Sequence, residues 1–74
     1  MEVGDRVRVA RVDDYTAMVL KSTNTPSPVG KTGVVRDKQY NPNMARYGMG
    51  NEVYVRMDGE DCDSIWIEEH LVLV

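Results

Sequence analysis

Asn51-Glu52-Val53-Tyr54-Val55-Arg56-Met57-Asp58-Gly59 is the stretch on which the fold turns. Val53, Val55 and Met57 recur at every second position, with Tyr54 and Arg56 between them. A period of two marks a strand with one buried face, because successive side chains of an extended chain point to opposite sides. Asp58-Gly59 ends the run with a pair that tolerates the positive φ angles of a tight hairpin. The chain is therefore expected to double back into a strand at Ser64-Ile65-Trp66-Ile67, after an acidic connection at Glu60-Asp61-Cys62-Asp63. An antiparallel, β-rich fold follows from this hairpin.

Beyond the hairpin, Glu68-Glu69-His70 is polar and short and suits a single 3₁₀ turn, and Leu71 to Val74 reads as a last strand. On the N-terminal side, residues 39–51 hold two Gly, one Pro, three Asn and two Tyr with no sustained period, which predicts a long loop. Thr32 to Lys38, with its β-branched Val34-Val35, reads as a strand in which Gly33 marks a bulge or a close crossing. Residues 13–28 lose the period and carry turn chemistry, predicting another long loop. Within it, Thr16 to Leu20 is apolar enough to pack back on the domain, as an irregular hairpin arm or a short helical turn. The opening alternation sets Val7 and Val9 against Arg6 and Arg8, and predicts a half-buried strand from about Arg6 to Arg11.

The chain has 74 residues, which suits one domain, 1–74, and no second. With four Tyr, one Trp and no Phe, its core is small, and a roomy enclosed active site is excluded. The single cysteine, Cys62, has no internal disulfide partner and points to a reducing, cytoplasmic setting. The first residues lack the basic and apolar regions of a signal peptide, and the longest apolar runs are four residues, so no membrane association is expected. Short strands, two long loops, a tight hairpin and a one-turn link together predict an all-β, five-stranded SH3-like barrel. The competing OB-fold normally needs a longer chain and a helix, and no helical period of ten or more residues is visible.

The strand sequences carry a resemblance. Gly4-Asp5-Arg6-Val7-Arg8-Val9, Gly30-Lys31-Thr32-Gly33-Val34-Val35, Val53-Tyr54-Val55-Arg56-Met57 and the tail Ile67-Glu68-Glu69-His70-Leu71-Val72-Leu73-Val74 resemble the small SH3-like barrels. They are similar to accessory proteins of photosynthetic electron transfer, namely the small barrel protein of photosystem I and the variable chain of ferredoxin–thioredoxin reductase. The Gly-rich second piece is also similar to the KOW motif of ribosomal proteins and transcription factors. The resemblance implies a barrel with its two long loops on one side. A groove there would be lined by Tyr15, Tyr40, Tyr47 and Trp66.

Candidate chemistry is sparse. Gly30-Lys31-Thr32 lacks the earlier Gly and following helix of a phosphate-binding loop, and Gly48-Met49-Gly50 reads as loop punctuation. Asp58, Glu60, Asp61 and Asp63 offer carboxylates for a hard cation, but without the spacing of a calcium loop they read as a solvated hairpin tip. Cys62 and His70 form a conceivable nucleophile pair in a domain too small to exclude water around it. No catalytic residue, cofactor or metal is assigned.

Charge by position is more informative. The net charge of −3 divides into four acids against four bases over residues 1–30, four bases and one acid over 31–47, and one base and seven acids over 48–74. Arg36, Lys38 and Arg46 share the basic stretch with Tyr40 and Tyr47, and cations beside aromatic rings suit docking onto an acidic protein face. The expectation is a non-enzymatic protein-interaction module, an accessory or regulatory subunit, contacting its partner through Tyr15, Arg36, Lys38, Tyr40, Arg46, Tyr47 and Trp66. The alternative is weak nucleic-acid binding of the KOW kind, limited to three or so phosphate contacts.

Overall fold

Each period-two run becomes a strand in the computed structural model, which describes residues 1–74. The strands are β1 (Arg6–Val9), β2 (Thr32–Tyr40), β3 (Asn51–Met57), β4 (Asp63–Ile67) and β5 (Leu71–Leu73), and a 3₁₀ turn at Glu68–His70 precedes the last. They form one antiparallel sheet in the order β4-β3-β2-β1-β5, so the final strand returns beside the first. The sheet stays open, with β4 and β5 as its edges. β1 stops short of Arg11 because the Ala10 and Arg11 N–H groups both turn to the His70 carbonyl, at 2.8 and 3.4 Å.

The fold is mostly β, as expected, with two short helices in its loops. α1 (Asp14–Ser22) occupies the first long loop, where the sequence leaves a hairpin arm and a helical turn open. Asp13 starts it, its carboxylate accepting the Thr16 N–H at 2.6 Å. Hydrogen bonds from Thr16 hold the Asp13 carboxyl below the usual carboxylate range, helped by the nearby charge of His70. No α1 residue is buried, so the helix has no core stripe to give its sequence a visible 3.6-residue period. α2 (Pro42–Ala45) is a single turn inside the second loop, with Asn41 Oδ1 accepting the Asn43 N–H and Pro42 at a helix start that needs no donor.

The core lies on one face of the sheet. It consists of Val7 and Val9 from β1, Val35 from β2, Val53, Val55 and Met57 from β3, and Leu71 from β5, with Met1 and Trp66 packed against it. Valine dominates because a β-branched side chain packs well on a pleated surface.

Both features expected of Gly33 occur on β2, at different places. Gly33 is the close crossing: a Cβ there would lie 2.6 Å from the Arg56 carbonyl oxygen and 2.9 Å from Met57 Cα. The bulge comes at Arg36, where the pairing passes from Val35↔Val55 to Asp37↔Tyr54 and leaves one residue unmatched. That residue changes which positions face the core. Lys38 pairs with Val53 and Tyr40 with Asn51, so they share the core face, where strict alternation puts Asp37 and Gln39.

On the opposite face, Asp58 at the hairpin turn accepts hydrogen bonds from Arg6 Nη1 and Nη2, at 3.0 and 2.9 Å, and from the Thr32 hydroxyl. These donors, Arg6 first, hold the Asp58 carboxyl below its ordinary range. A depressed carboxylate stabilises the fold at pH values above its unfolded pKa, and the contribution disappears as pH falls through the lower folded value. Below pH ~4, the melting temperature of the wild type should therefore drop toward that of Asp58→Asn. A difference between the two melting temperatures that stays constant under acid would show that ionisation of Asp58 is not what makes the contact stabilising.

Candidate functional site

The core ends before the sheet does. Past the bulge, β2 and the start of β3 run on as a ribbon whose core-facing side is filled by Lys38, Tyr40 and Asn51 instead of valines. Two adjoining shallow depressions open there. One, of ≈ 170 Å³, is lined by Lys38, Gln39, Tyr40, Asn51, Glu52 and Glu68. The other, of ≈ 280 Å³, is lined by Tyr40, Ala45, Gly48, Gly50, Asn51 and Glu69. Tyr40 and Asn51 belong to both. Each is smaller than the roughly 300–1,000 Å³ typical of small-molecule pockets, so the surface is scaled to a single side chain.

The Tyr40 ring is held by its surroundings yet stays 62% exposed. Gly50 makes room for it, since a Cβ at that position would sit 3.0 Å from both Tyr40 Cε2 and Ala45 Cβ. The Asn41 N–H donates to the Gly50 carbonyl at 2.7 Å and ties the two ends of the connection together. Gly48, with φ of +74°, turns the chain after α2.

Comparison with family models, curated proteins and solved structures gives no match.

Two cations of the expected basic patch have partners within the chain. Lys38 Nζ lies 3.8 Å from Glu2 Oε1, and the Arg46 guanidinium stacks over the Tyr47 ring at 4.9 Å. Arg36 is exposed at the bulge and has no ion-pair partner. Tyr15 stands on α1 and lines neither depression. Trp66 is half-buried against the core, with its indole N–H donating to Ser64 Oγ at 2.9 Å, and also lines neither. The common groove expected from the loops thus narrows to the surface around Tyr40. Because β2 continues to Tyr40, Tyr40 is also a strand residue and not part of the loop.

Sequence reasoning misses the acidic lining, because along the chain Glu52 is only a strand residue and Glu68 and Glu69 only the polar filler of a turn. The 3₁₀ turn sets Glu68 and Glu69 beside the depressions, packing against β3. Neither Glu52 nor Glu68 is ion-paired, and Glu69 has only a long, exposed contact with Arg11 at 3.9 Å.

The other sequence candidates resolve into structure. The Gly30 and Lys31 N–H groups donate to the Val9 and Pro28 carbonyls, so they close a turn and do not face a phosphate. Of the four hairpin carboxylates, Asp58 binds Arg6 and Thr32, and Asp63 accepts from Arg56 Nε at 2.7 Å. No group of three His, Cys, Asp or Glu side chains is arranged to hold a metal ion. Cys62 is exposed before β4 and His70 lies beyond its far end, about 16 Å along an extended strand. No helix is long and apolar enough to cross a membrane.

Proposed function

We propose that the chain is an SH3-like barrel acting as a non-enzymatic docking module, an accessory or regulatory subunit that binds a larger protein through the surface around Tyr40. The observation carrying this reading is an exposed aromatic ring shared by two open, side-chain-sized depressions. Aromatic residues in such settings are the usual anchors of protein interfaces, because they bury large areas with few rotatable bonds. The return of β5 to β1 after a 3₁₀ link supports the barrel. The single exposed cysteine suits a reducing, cytoplasmic setting.

Tyr47, with Arg46 stacked on its ring, and Arg36 lie outside the two depressions and would supply further contacts, the arginines to acidic groups of the partner. Lys38 contributes less, being already engaged by Glu2. Nucleic acid is the weaker reading, since Glu68 and Glu69 of the 3₁₀ turn, beside the anchor, repel phosphate.

Quantitative capture from an extract of the native host tests the reading, comparing the wild type with Tyr40→Ala and with the double variant Arg36→Glu, Arg46→Glu. Truncating the anchor should weaken the partner by about tenfold or more. The charge reversals should act mainly on the association rate. A partner retained undiminished by folded Tyr40→Ala would remove the docking site from this surface.

A further inference from the structure

We infer that α1 is a self-association surface, through which two copies of the chain pair as antiparallel helices. α1 is separate from the Tyr40 surface and lines neither depression there. Tyr15, Met18 and Val19 are 72, 61 and 39% exposed, and their spacing of three and four residues sets them on one face of the helix with Ser22. Only Thr16 and Leu20, on the far side, are half-buried. The apolar stripe of α1 therefore faces solvent. A nine-residue helix is too short to persist on propensity alone, and the Asp13 cap and the two bonds from Thr23 to the Val19 carbonyl hold it formed.

Charge selects the occupant. Asp14 and Lys21 lie four residues before and three after Met18, so both border the stripe on the same side. A two-fold axis between two α1 helices, perpendicular to both, turns one end for end and brings each border against the same border of the other. Asp14 then meets Lys21 of the second copy, twice, and helix ends of opposite dipole adjoin. A parallel pair would set Asp14 against Asp14 and Lys21 against Lys21. Between the ion pairs, Tyr15 of each copy packs on Met18 of the other, a contact of ring and thioether that is favourable in its own right. Two helices of nine residues, each about 13 Å long, bury less than the roughly 1,200 Å² of a stable interface, so the pair is reversible and forms at high concentration.

Translational diffusion of the intact chain, measured by NMR from micromolar to millimolar concentration, tests the pairing. Diffusion should slow toward that of a dimer, with concentration-dependent shifts confined to the amides of Asp14–Ser22. Asp14→Lys and Lys21→Asp each turn two attractions into two repulsions, and each should weaken association about tenfold. Mixed in equal amounts, the two variants should pair with each other about tenfold better than either pairs with itself, because opposite charges then meet at both ends. Sheet amides report the fold of each variant and should stay in place, since α1 buries no residue. A chain that remains monomeric at millimolar concentration would overturn the inference and leave the stripe to a different protein. Dimer shifts outside α1, or a mixture that associates no better than the separate variants, would overturn it as well.

Discussion

Gly33→Ala should lower the stability of the domain by about 3 kcal/mol, or ~10–20 °C in melting temperature. The added methyl would lie 2.6 Å from the Arg56 carbonyl oxygen, 2.7 Å from Val55 Cγ1 and 2.9 Å from Met57 Cα. Two of these atoms belong to the backbone of β3, which is paired on both sides and has no direction in which to yield. Gly33 lies outside the left-handed region, so the conflict is steric and not one of backbone preference. Gly59→Ala is the informative control. Its Cβ meets nothing within 4 Å, and its penalty comes only from a φ of +82°, roughly 1 kcal/mol. Thermal unfolding of the two variants should rank Gly33→Ala as the more damaging. A melting temperature for Gly33→Ala within a few degrees of the wild type would mean that β2 does not cross β3 this closely.

Val55→Ala should lower stability by about 2 kcal/mol, whereas Ile65→Ala should change it by less than about 0.5 kcal/mol, although isoleucine is the larger residue. Val55 is 0% exposed at the centre of the apolar cluster, and its truncation leaves a void that neighbouring strands cannot fill. Ile65 pairs with Tyr54 on the opposite face and is 56% exposed. Denaturant unfolding reads both changes. A similar loss at the two positions would show that both faces of the sheet are covered, which would require a partner or a second copy over Ile65. With only seven buried apolar side chains, the domain has a narrow margin, and the Val55 variant should be close to unfolding at physiological temperature.

The strands are legible because each buries one face, and burial imposes a period of two that Val53, Val55 and Met57 display directly. α1 is not legible because it buries nothing; its start is nonetheless marked by Asp13, whose side chain caps the Thr16 N–H. α2 carries a similar sign in Asn41-Pro42, a capping residue followed by a residue suited to the first helical turn. Within the candidate site, Tyr40 stands out as an aromatic residue in a polar stretch. Its neighbours do not, since Asn51 and Glu68 reach it through strand pairing and the fold of the 3₁₀ turn, across 11 and 28 positions of sequence. What Lys38 and Arg46 contact within the chain is equally invisible along the sequence. The N-terminal segment brings Glu2 to Lys38, and Arg46 turns onto Tyr47.

The bulge at Arg36 also gives the molecule slack in its longest strand. Pairing on either side is set independently, by Val35 opposite Val55 and by Asp37 opposite Tyr54. A chain shorter by that one residue would still place Lys38 opposite Val53 and Tyr40 opposite Asn51, closing the ladder without turning any side chain over. A residue removed from β3 has no such reserve, because each position there is matched on both flanks between Glu52 and Arg56. Changes of length are thus absorbed at the boundary between core and candidate site, which leaves the two halves of β2 free to diverge: the first constrained by packing, the second by whatever binds at Tyr40.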